Sequence, residues 1–454
     1  MTVFDEIAEN DGDNEWKAWL EEVFTAKYEI VSFVAGRREK GKAGEFVRYL
    51  RGSFNFCICV TFNDGGPDAV IRFPKPGHTS TALRDEKVAN EVQFMKYLRQ
   101  NTTIPLPQVI DWGLTEESPQ RLGPFIIMEY VDGTRLSTFL QQPTENEGED
   151  VVLNPEIDDT TLDIIYDQLA DYVVQLSELN FDSIGSISKD PTSNTWSVTG
   201  RPLTYNMNEL ATVVSGYPTE EFPAAQFASV NKYFQNLANE HLIHFRTQRN
   251  LANNHEDAQK RFIARYRFKQ LIPQYCIEDA GPFKPFCDDL QPSNMLVDPK
   301  TLQITAVLDF EFTNTMPAQF AYDPPWWLLL LGPDMWLERR TMEDFVTRYQ
   351  PRMEQFLRAL ERVEAMSESK GKKVGNGPRL SARMRDSWTT GRFWFDYGIR
   401  KSFDVDAVYW AALHKGDANG DWLKDETLAA MDLIGQMKME QSKAYYAECA
   451  ARFS

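Results

Sequence analysis

Phe286-Cys287-Asp288-Asp289-Leu290-Gln291-Pro292-Ser293-Asn294, followed by the apolar run Ile304-Thr305-Ala306-Val307-Leu308 and then Asp309, is the stretch on which the reading of this chain turns. Asp289 stands five residues before Asn294 and twenty before a second carboxylate, Asp309, at the end of a predicted strand. Met295-Leu296-Val297 and Ile304 to Leu308 predict a hairpin that brings Asn294 and Asp309 together, with Asp298-Pro299-Lys300-Thr301 as its turn. This pattern suits phosphoryl transfer. One carboxylate orients a hydroxyl, while an amide oxygen and a second carboxylate hold magnesium against nucleotide phosphates. The competing reading is an ordinary Asp-rich loop beside a hairpin, and the segment alone does not decide between them.

Upstream of this loop the chain carries strand signals. Phe54 to Phe62, the turn Asn63-Asp64-Gly65-Gly66-Pro67 and Ala69 to Phe73 predict a hairpin, and Pro124 to Tyr130 predicts a buried strand. Leu83 to Gln100 switches to helical periodicity, with Val88, Val92 and Met95 on one face. Residues 15–27 read as an amphipathic leading helix, so a β-rich region with one internal helix covers about residues 28–130. Beyond Gly133 the character is helical. Leu162 to Leu179, Phe227 to Asn253, and about 340–366 and 421–450 read as helices, whereas 141–160, 185–225 and the basic Glu368 to Pro378 read as loops.

With 42% hydrophobic and 13% aromatic residues in 454, the chain has the material for a large folded core. Its formal net charge of −19 argues against nucleic acid or an anionic membrane as the main partner. The same charge is compatible with a cationic or neutral small molecule, or simply with a solubilising surface. Five scattered cysteines make no disulfide framework, and Cys57 and Cys59 alternate along one strand as ordinary packing residues. Met1 to Asn14 is acidic without a signal-like apolar region, and Trp326 to Leu331 is too short to cross a bilayer, so the expectation is a cytoplasmic protein.

Other residues extend the chemistry. Arg72 ends a predicted strand and Glu91 lies on the next helix; a strand cation held by a helical carboxylate can contact nucleotide phosphates, although a surface ion pair would look the same. Gly52-Ser53-Phe54-Asn55 offers backbone to a phosphate or forms a plain turn. Met128-Glu129-Tyr130-Val131 is a connector able to meet an adenine edge through its backbone, or a simple linker. Glu311 follows Asp309 by two residues and points the same way on extended chain, towards metal, substrate or a basic partner. Asp323 reads as a cap or loop brace, and Trp388, Phe393, Trp394, Phe395 and Tyr397 as core packing rather than an aromatic cage.

From Gly52 to Asp323, these segments together resemble the aminoglycoside phosphotransferase/choline kinase-like family, a branch of the protein-kinase-like fold. Cys287 to Asn294 and Leu308-Asp309-Phe310-Glu311 are the most specific part. Within that family the chain, including Arg383 to Trp394, is most similar to the fungal proteins that carry the domain. The resemblance implies an α+β, two-lobed architecture: residues 1–130 as a small antiparallel-sheet lobe, and 131–454 as a large helical lobe with substrate-binding insertions. It implies ATP and Mg2+ as cofactors and phosphorylation of a small-molecule hydroxyl. Asp289 would be the catalytic aspartate, Asn294 and Asp309 the metal ligands, and Arg72 with Glu91 the phosphate-contacting pair. Gly52, Ser53, Phe54 and Asn55 would cover the nucleotide, and Met128, Glu129, Tyr130 and Val131 would border adenine. One residue departs clearly from the family pattern, Cys287, which stands where histidine is usual; Arg72, in the lysine-or-arginine position, brings guanidinium geometry in place of lysine's. Cys287 keeps a second implication open, a pseudokinase that binds nucleotide or a partner without transferring phosphate. Transfer of AMP on the same fold is a third.

Overall fold

The computed structural model describes residues 4–38, 44–144, 148–369, 377–416 and 425–453. Helix α1 spans Glu6–Thr25; its N-cap Asp5 accepts from the amides of Ile7 and Ala8, and Glu6 and Glu9 complement the helix dipole. The expected 15–27 helix therefore starts nine residues earlier. It breaks at Ala26, and α2 (Lys27–Gly36) follows. Strands β1 (Gly44–Arg51), β2 (Asn55–Phe62) and β3 (Ala69–Pro74) come next, followed by α3 (Arg84–Asn101), β4 (Val109–Gly113) and β5 (Phe125–Glu129). They form one antiparallel sheet in the order β1-β2-β3-β5-β4. Strand β1 has no counterpart in the sequence reading. It is an edge strand with three charged residues in eight and mostly exposed side chains, so alternation does not mark it.

Period-two alternation sends β2 residues to opposite faces. Phe56, Ile58 and Val60 meet Trp19, Val23, Ile30 and Val34 of α1 and α2. Cys59 packs with Val70, Ile126 and Met128 beneath Val88 and Val92 of α3, with Cys57 at the margin of that cluster. The cysteines share a face, as their spacing predicts. The internal helix therefore lies on the cleft side of the sheet, where its polar residues face the remainder of the chain.

The rest of the chain is mainly helical, built around Asp159–Glu178, Val230–Thr247, His255–Gln270 and Met342–Ser369. The architecture is the two-lobed α+β form expected. Segment 185–225 is not merely loop: Ser186–Lys189 pairs with Trp196–Gly200, and Tyr205–Val213 is a helix capped by Thr204. Short elements that bury polar residues such as Ser186, Asn206 and Asn208 carry no clear periodic signal. Residues 370–376 of the predicted basic loop and 421–424 of the last predicted helix lie outside the described residues. No helix among the described residues is long and apolar enough to cross a membrane.

Phe393, Trp394, Phe395 and Tyr397, on helix Arg392–Ile399, are core, as predicted. Phe395 stacks on Phe268 and Tyr275, each at 5.0 Å between ring centres. Beneath this helix Nε2 of His241 donates to the Ile399 carbonyl at 3.1 Å, and Arg265 pairs with Asp406 at 2.9 Å. Burial and the nearby Arg265 guanidinium lower His241 to about 3. The unfolded chain then binds a proton near pH 6.5 that the native state refuses, so the contribution of His241 to stability falls as pH drops below about 6.5, by on the order of 1 kcal/mol per unit. His241→Gln is expected to flatten this slope between about pH 4 and 6.5, measured from denaturant midpoints across that range.

Candidate active site

Two loops meet because the strands around them pair. Phe283–Phe286 runs antiparallel to Asn314–Pro317, and Met295–Val297 to Ile304–Val307. The first loop leaves at Phe286 and returns at Met295; the second leaves at Val307 and returns at Asn314. They are stitched by the Leu308 amide donating to the Asn294 carbonyl at 2.8 Å. The predicted hairpin thus does bring Asn294 and Asp309 side by side. Asp309 itself lies just past the strand, and the chain turns at Phe312 with a φ of 58°.

Within the first loop, Asn294 Nδ2 donates to Asp289 twice, to the backbone oxygen at 3.0 Å and to Oδ2 at 2.6 Å, and Gln291 Nε2 donates to Oδ1. Burial raises the Asp289 carboxyl to about 6, with the Gln291 and Asn294 bonds opposing the rise. Burial and the neighbouring Glu311 push Asp309 well above the usual carboxylate range, and Arg72 offsets this only in part. This corner of the site is short of positive charge.

Arg72 reaches it from β3. Its Nη2 pairs with Glu91 of α3, and its Nη1 lies 3.4 Å from Asp309. The pair is buried, with Arg72 6% and Glu91 1% exposed, so the surface ion-pair alternative does not hold. Glu91 also accepts from the Phe310 amide at 3.3 Å. It stands behind Arg72 and does not line the cleft, so it serves as a holder of the cation and not as a wall of the nucleotide site.

The other residues expected to hold nucleotide, metal or acceptor line one cleft of about 800 Å³: Gly52 to Asn55, Arg72, Met128 to Val131, Asp289, Asn294 and Asp309. Gly52 to Asn55 is a closed turn between β1 and β2, its Gly52 amide donating to Asn55 at 2.9 Å. Phe54 touches Tyr205 across the cleft, edge to face at 5.4 Å. In the connector, the Glu129 and Tyr130 amides donate to the carbonyls of Gln108 and Asp68, so neither is free for a nucleobase; Val131 is the first residue past those bonds.

Cys287 is buried, which raises its thiol far above the ordinary value and keeps it protonated. The loop it belongs to is braced from elsewhere. Arg400 Nη1 pairs with Asp288, and Trp326 Nε1 donates to the Asp288 carbonyl at 3.1 Å. Asp323 accepts from Ser387, in the bracing role expected of it. Arg400, Trp326 and Lys87 escaped the sequence reading. Lys87 alone left a trace, a lysine four residues before Glu91 on the apolar side of α3; its Nζ lies 2.6 Å from Glu311 Oε2. Of the three directions open to Glu311, the basic partner is the one realised.

The profile of the phosphotransferase enzyme family matches residues 60–362, which takes in both loops, Arg72 and Glu91. The chain belongs to the phosphotransferase enzyme family. A search of curated proteins returned no match. Among solved structures, an aminoglycoside phosphotransferase APH(4)-Ia bound to ADP and hygromycin B is 14% identical. That alignment covers 90% of this chain and 98% of the other at a TM-score of 0.43. An ethanolamine kinase from Plasmodium vivax is 11% identical over 89% and 83%, with a TM-score of 0.40. APH(3'')-Id from Streptomyces rimosus is 12% identical over 85% and 98%, with a TM-score of 0.38. At such scores the family assignment of this phosphotransferase rests on the profile and on its own geometry.

Removing the cation that Glu91 and Asp309 share leaves one buried and one half-buried carboxylate without it. Arg72→Met is expected to cost about 3–5 kcal/mol of stability, read as a shift in the urea midpoint, whereas Arg72→Lys, which keeps the charge, is expected to cost less than half as much. Equal losses for the two variants would show that the charge is not what matters.

Proposed function

We propose that this phosphotransferase moves the γ-phosphoryl group of ATP, with magnesium, onto a hydroxyl of a small molecule. The observation that carries the reading is the convergence of Asp289, Asn294 and Asp309 on one wall of the cleft, facing the buried Arg72–Glu91 pair. The nucleotide would lie between the Gly52–Asn55 turn and the two loops, with its base towards Met128 to Val131. The donors suit magnesium, a hard cation that takes one or two carboxylates together with phosphate oxygens and water. Asn294 spends its Nδ2 on Asp289, which leaves its amide oxygen for a cation, and Asp309 sits where positive charge is lacking. Bound there, magnesium would neutralise charge on the phosphates.

Asp289 does the proton work in this reading. Its carboxylate accepts the acceptor's hydroxyl proton as the new O–P bond forms and the bond to the ADP oxygen breaks. The Asn294 and Gln291 amides aim the carboxylate, while Arg400 holds the side chain of Asp288 before it and Trp326 the Asp288 carbonyl. Beyond Asp289 the cleft is walled by Tyr205, Trp326, Asp334 and Lys401, an aromatic and mixed-charge end suited to a small polar acceptor. With Cys287 in place of histidine the loop is still braced, by Arg400 and Trp326, which favours an enzyme over a nucleotide-binding pseudokinase.

Asp289→Asn is expected to lower turnover at least about a thousandfold, measured as ADP release across a panel of hydroxyl-bearing metabolites, while leaving ADP affinity within roughly threefold. Full turnover in that variant would remove Asp289 from its role, and pyrophosphate release with AMP attached to the acceptor, in place of ADP release, would replace phosphoryl transfer by nucleotidyl transfer. In the wild-type protein kcat/KM should fall about tenfold per unit below about pH 6, because the raised Asp289 carboxyl must be ionised to accept the proton. A profile flat down to pH 5 would contradict this.

A further inference from the structure

Lys87 sits on the buried face of α3, 1% exposed, with three partners around its ammonium. Its Nζ lies 2.6 Å from Glu311 Oε2 and donates to Asn55 Oδ1 at 3.2 Å, and Asn55 Nδ2 donates to that same Glu311 oxygen at 2.9 Å. The Phe312 ring lies 5.4 Å from the ammonium. Lysine, asparagine and glutamate thus close a buried triangle drawn from α3, the start of β2 and the loop after Asp309. Placing an ammonium and a carboxylate here costs desolvation that a pair of apolar side chains would avoid, so close packing alone does not account for it. A helical turn further along α3, Glu91 makes the parallel set of bonds to Arg72 and the Phe310 amide.

We infer that Lys87 is a positioning residue of the nucleotide site, which holds Glu311 as a tether for the Gly52–Asn55 turn and keeps it off the metal. The inference rests on the nucleotide-binding reading above. Asn55 closes the turn by accepting from the Gly52 amide, so fixing its side chain fixes the far end of the turn over the cleft. Glu311 follows Asp309 by two residues and is an obvious carboxylate to share its cation. Yet Oε2 already has two donors, and the carboxylate is drawn towards α3. Metal binding in this chain is then left to Asn294 and Asp309, and the Lys87 triangle acts on the nucleotide through the turn.

The test is ADP binding to the full chain by calorimetry, in EDTA and across a magnesium titration, for the wild type, Glu311→Gln, Lys87→Met and the double variant. Glu311→Gln is expected to weaken ADP roughly threefold to tenfold to the same extent in EDTA and in magnesium, with an unchanged magnesium midpoint. Lys87→Met should weaken ADP at least about tenfold, since it leaves a buried carboxylate unpaired. Should that variant fail to fold, Lys87→Met/Glu311→Gln carries no unpaired charge and remains measurable. The double variant is expected to match Glu311→Gln within about threefold, because lysine acts through the glutamate. Two outcomes would overturn the inference. One is a roughly tenfold higher magnesium midpoint in Glu311→Gln with ADP binding in EDTA intact, which would make Glu311 a metal ligand. The other is a double variant as weak as the product of the two singles. Absence of ADP binding in the wild type would instead bring down the kinase reading, and the inference with it.

Discussion

A buried network of alternating charge joins three separate parts of this protein: the sheet, helix α3 and the loop after Asp309. Arg72 and Asn55 come from the strands, Lys87 and Glu91 from the helix, and Asp309, Glu311 and the Phe310 amide from the loop. Each charge is expensive to bury alone and tolerable only beside its partners. The network therefore penalises any arrangement in which one of the three parts is displaced. It also means that the cleft is assembled by electrostatics at its back wall, while apolar contacts hold the two lobes internally. Such a design suits a site that must accept a highly charged molecule, because the fixed cations and anions are already oriented before that molecule arrives.

The loop holding Asp289 shows how a family position can change without the loop losing its supports. Cys287, where the resemblance leads one to expect histidine, lies buried and protonated. The loop is supported by the Arg400 guanidinium on the Asp288 carboxylate and by the Trp326 indole on the Asp288 carbonyl. Arg400 is in turn oriented through its Nε, which donates to the Asp396 carbonyl at 2.8 Å, and Asp396 belongs to the same aromatic helix as Phe395. The C-terminal aromatic helix therefore links core packing to the candidate catalytic loop, a role that packing alone would not suggest.

Much of this could be read from the chain before any coordinates. Asp289, Asn294 and Asp309 are close in sequence and joined by one hairpin, so local periodicity and turn chemistry suffice to bring them together. Arg72 and Glu91 were legible because strand and helix signals around them are strong. Strand β1 and the elements between residues 185 and 225 were not, since short polar edge elements owe their conformation to neighbours rather than to their own pattern. Lys87 left only its position on the apolar side of the helix as a trace: a lysine on a helix is ordinarily solvated, and only its surroundings make it a buried partner of Glu311.

The amino-acid sequence by itself determined the kind of chemistry and the local geometry of the two loops, because those depend on residues within one hairpin of each other. It also marked, through the change from period-two to helical patterning near Gly133, where the β-rich stretch gives way to mainly helical chain. Only the tertiary structure decided which charges meet. That Glu311 binds Lys87, that Glu91 stands behind Arg72 rather than in the cleft, and that Arg400 props Asp288 are facts about side chains up to more than two hundred residues apart. No local pattern encodes such pairs; they follow from the whole fold, which leaves each buried charge one place to find its partner.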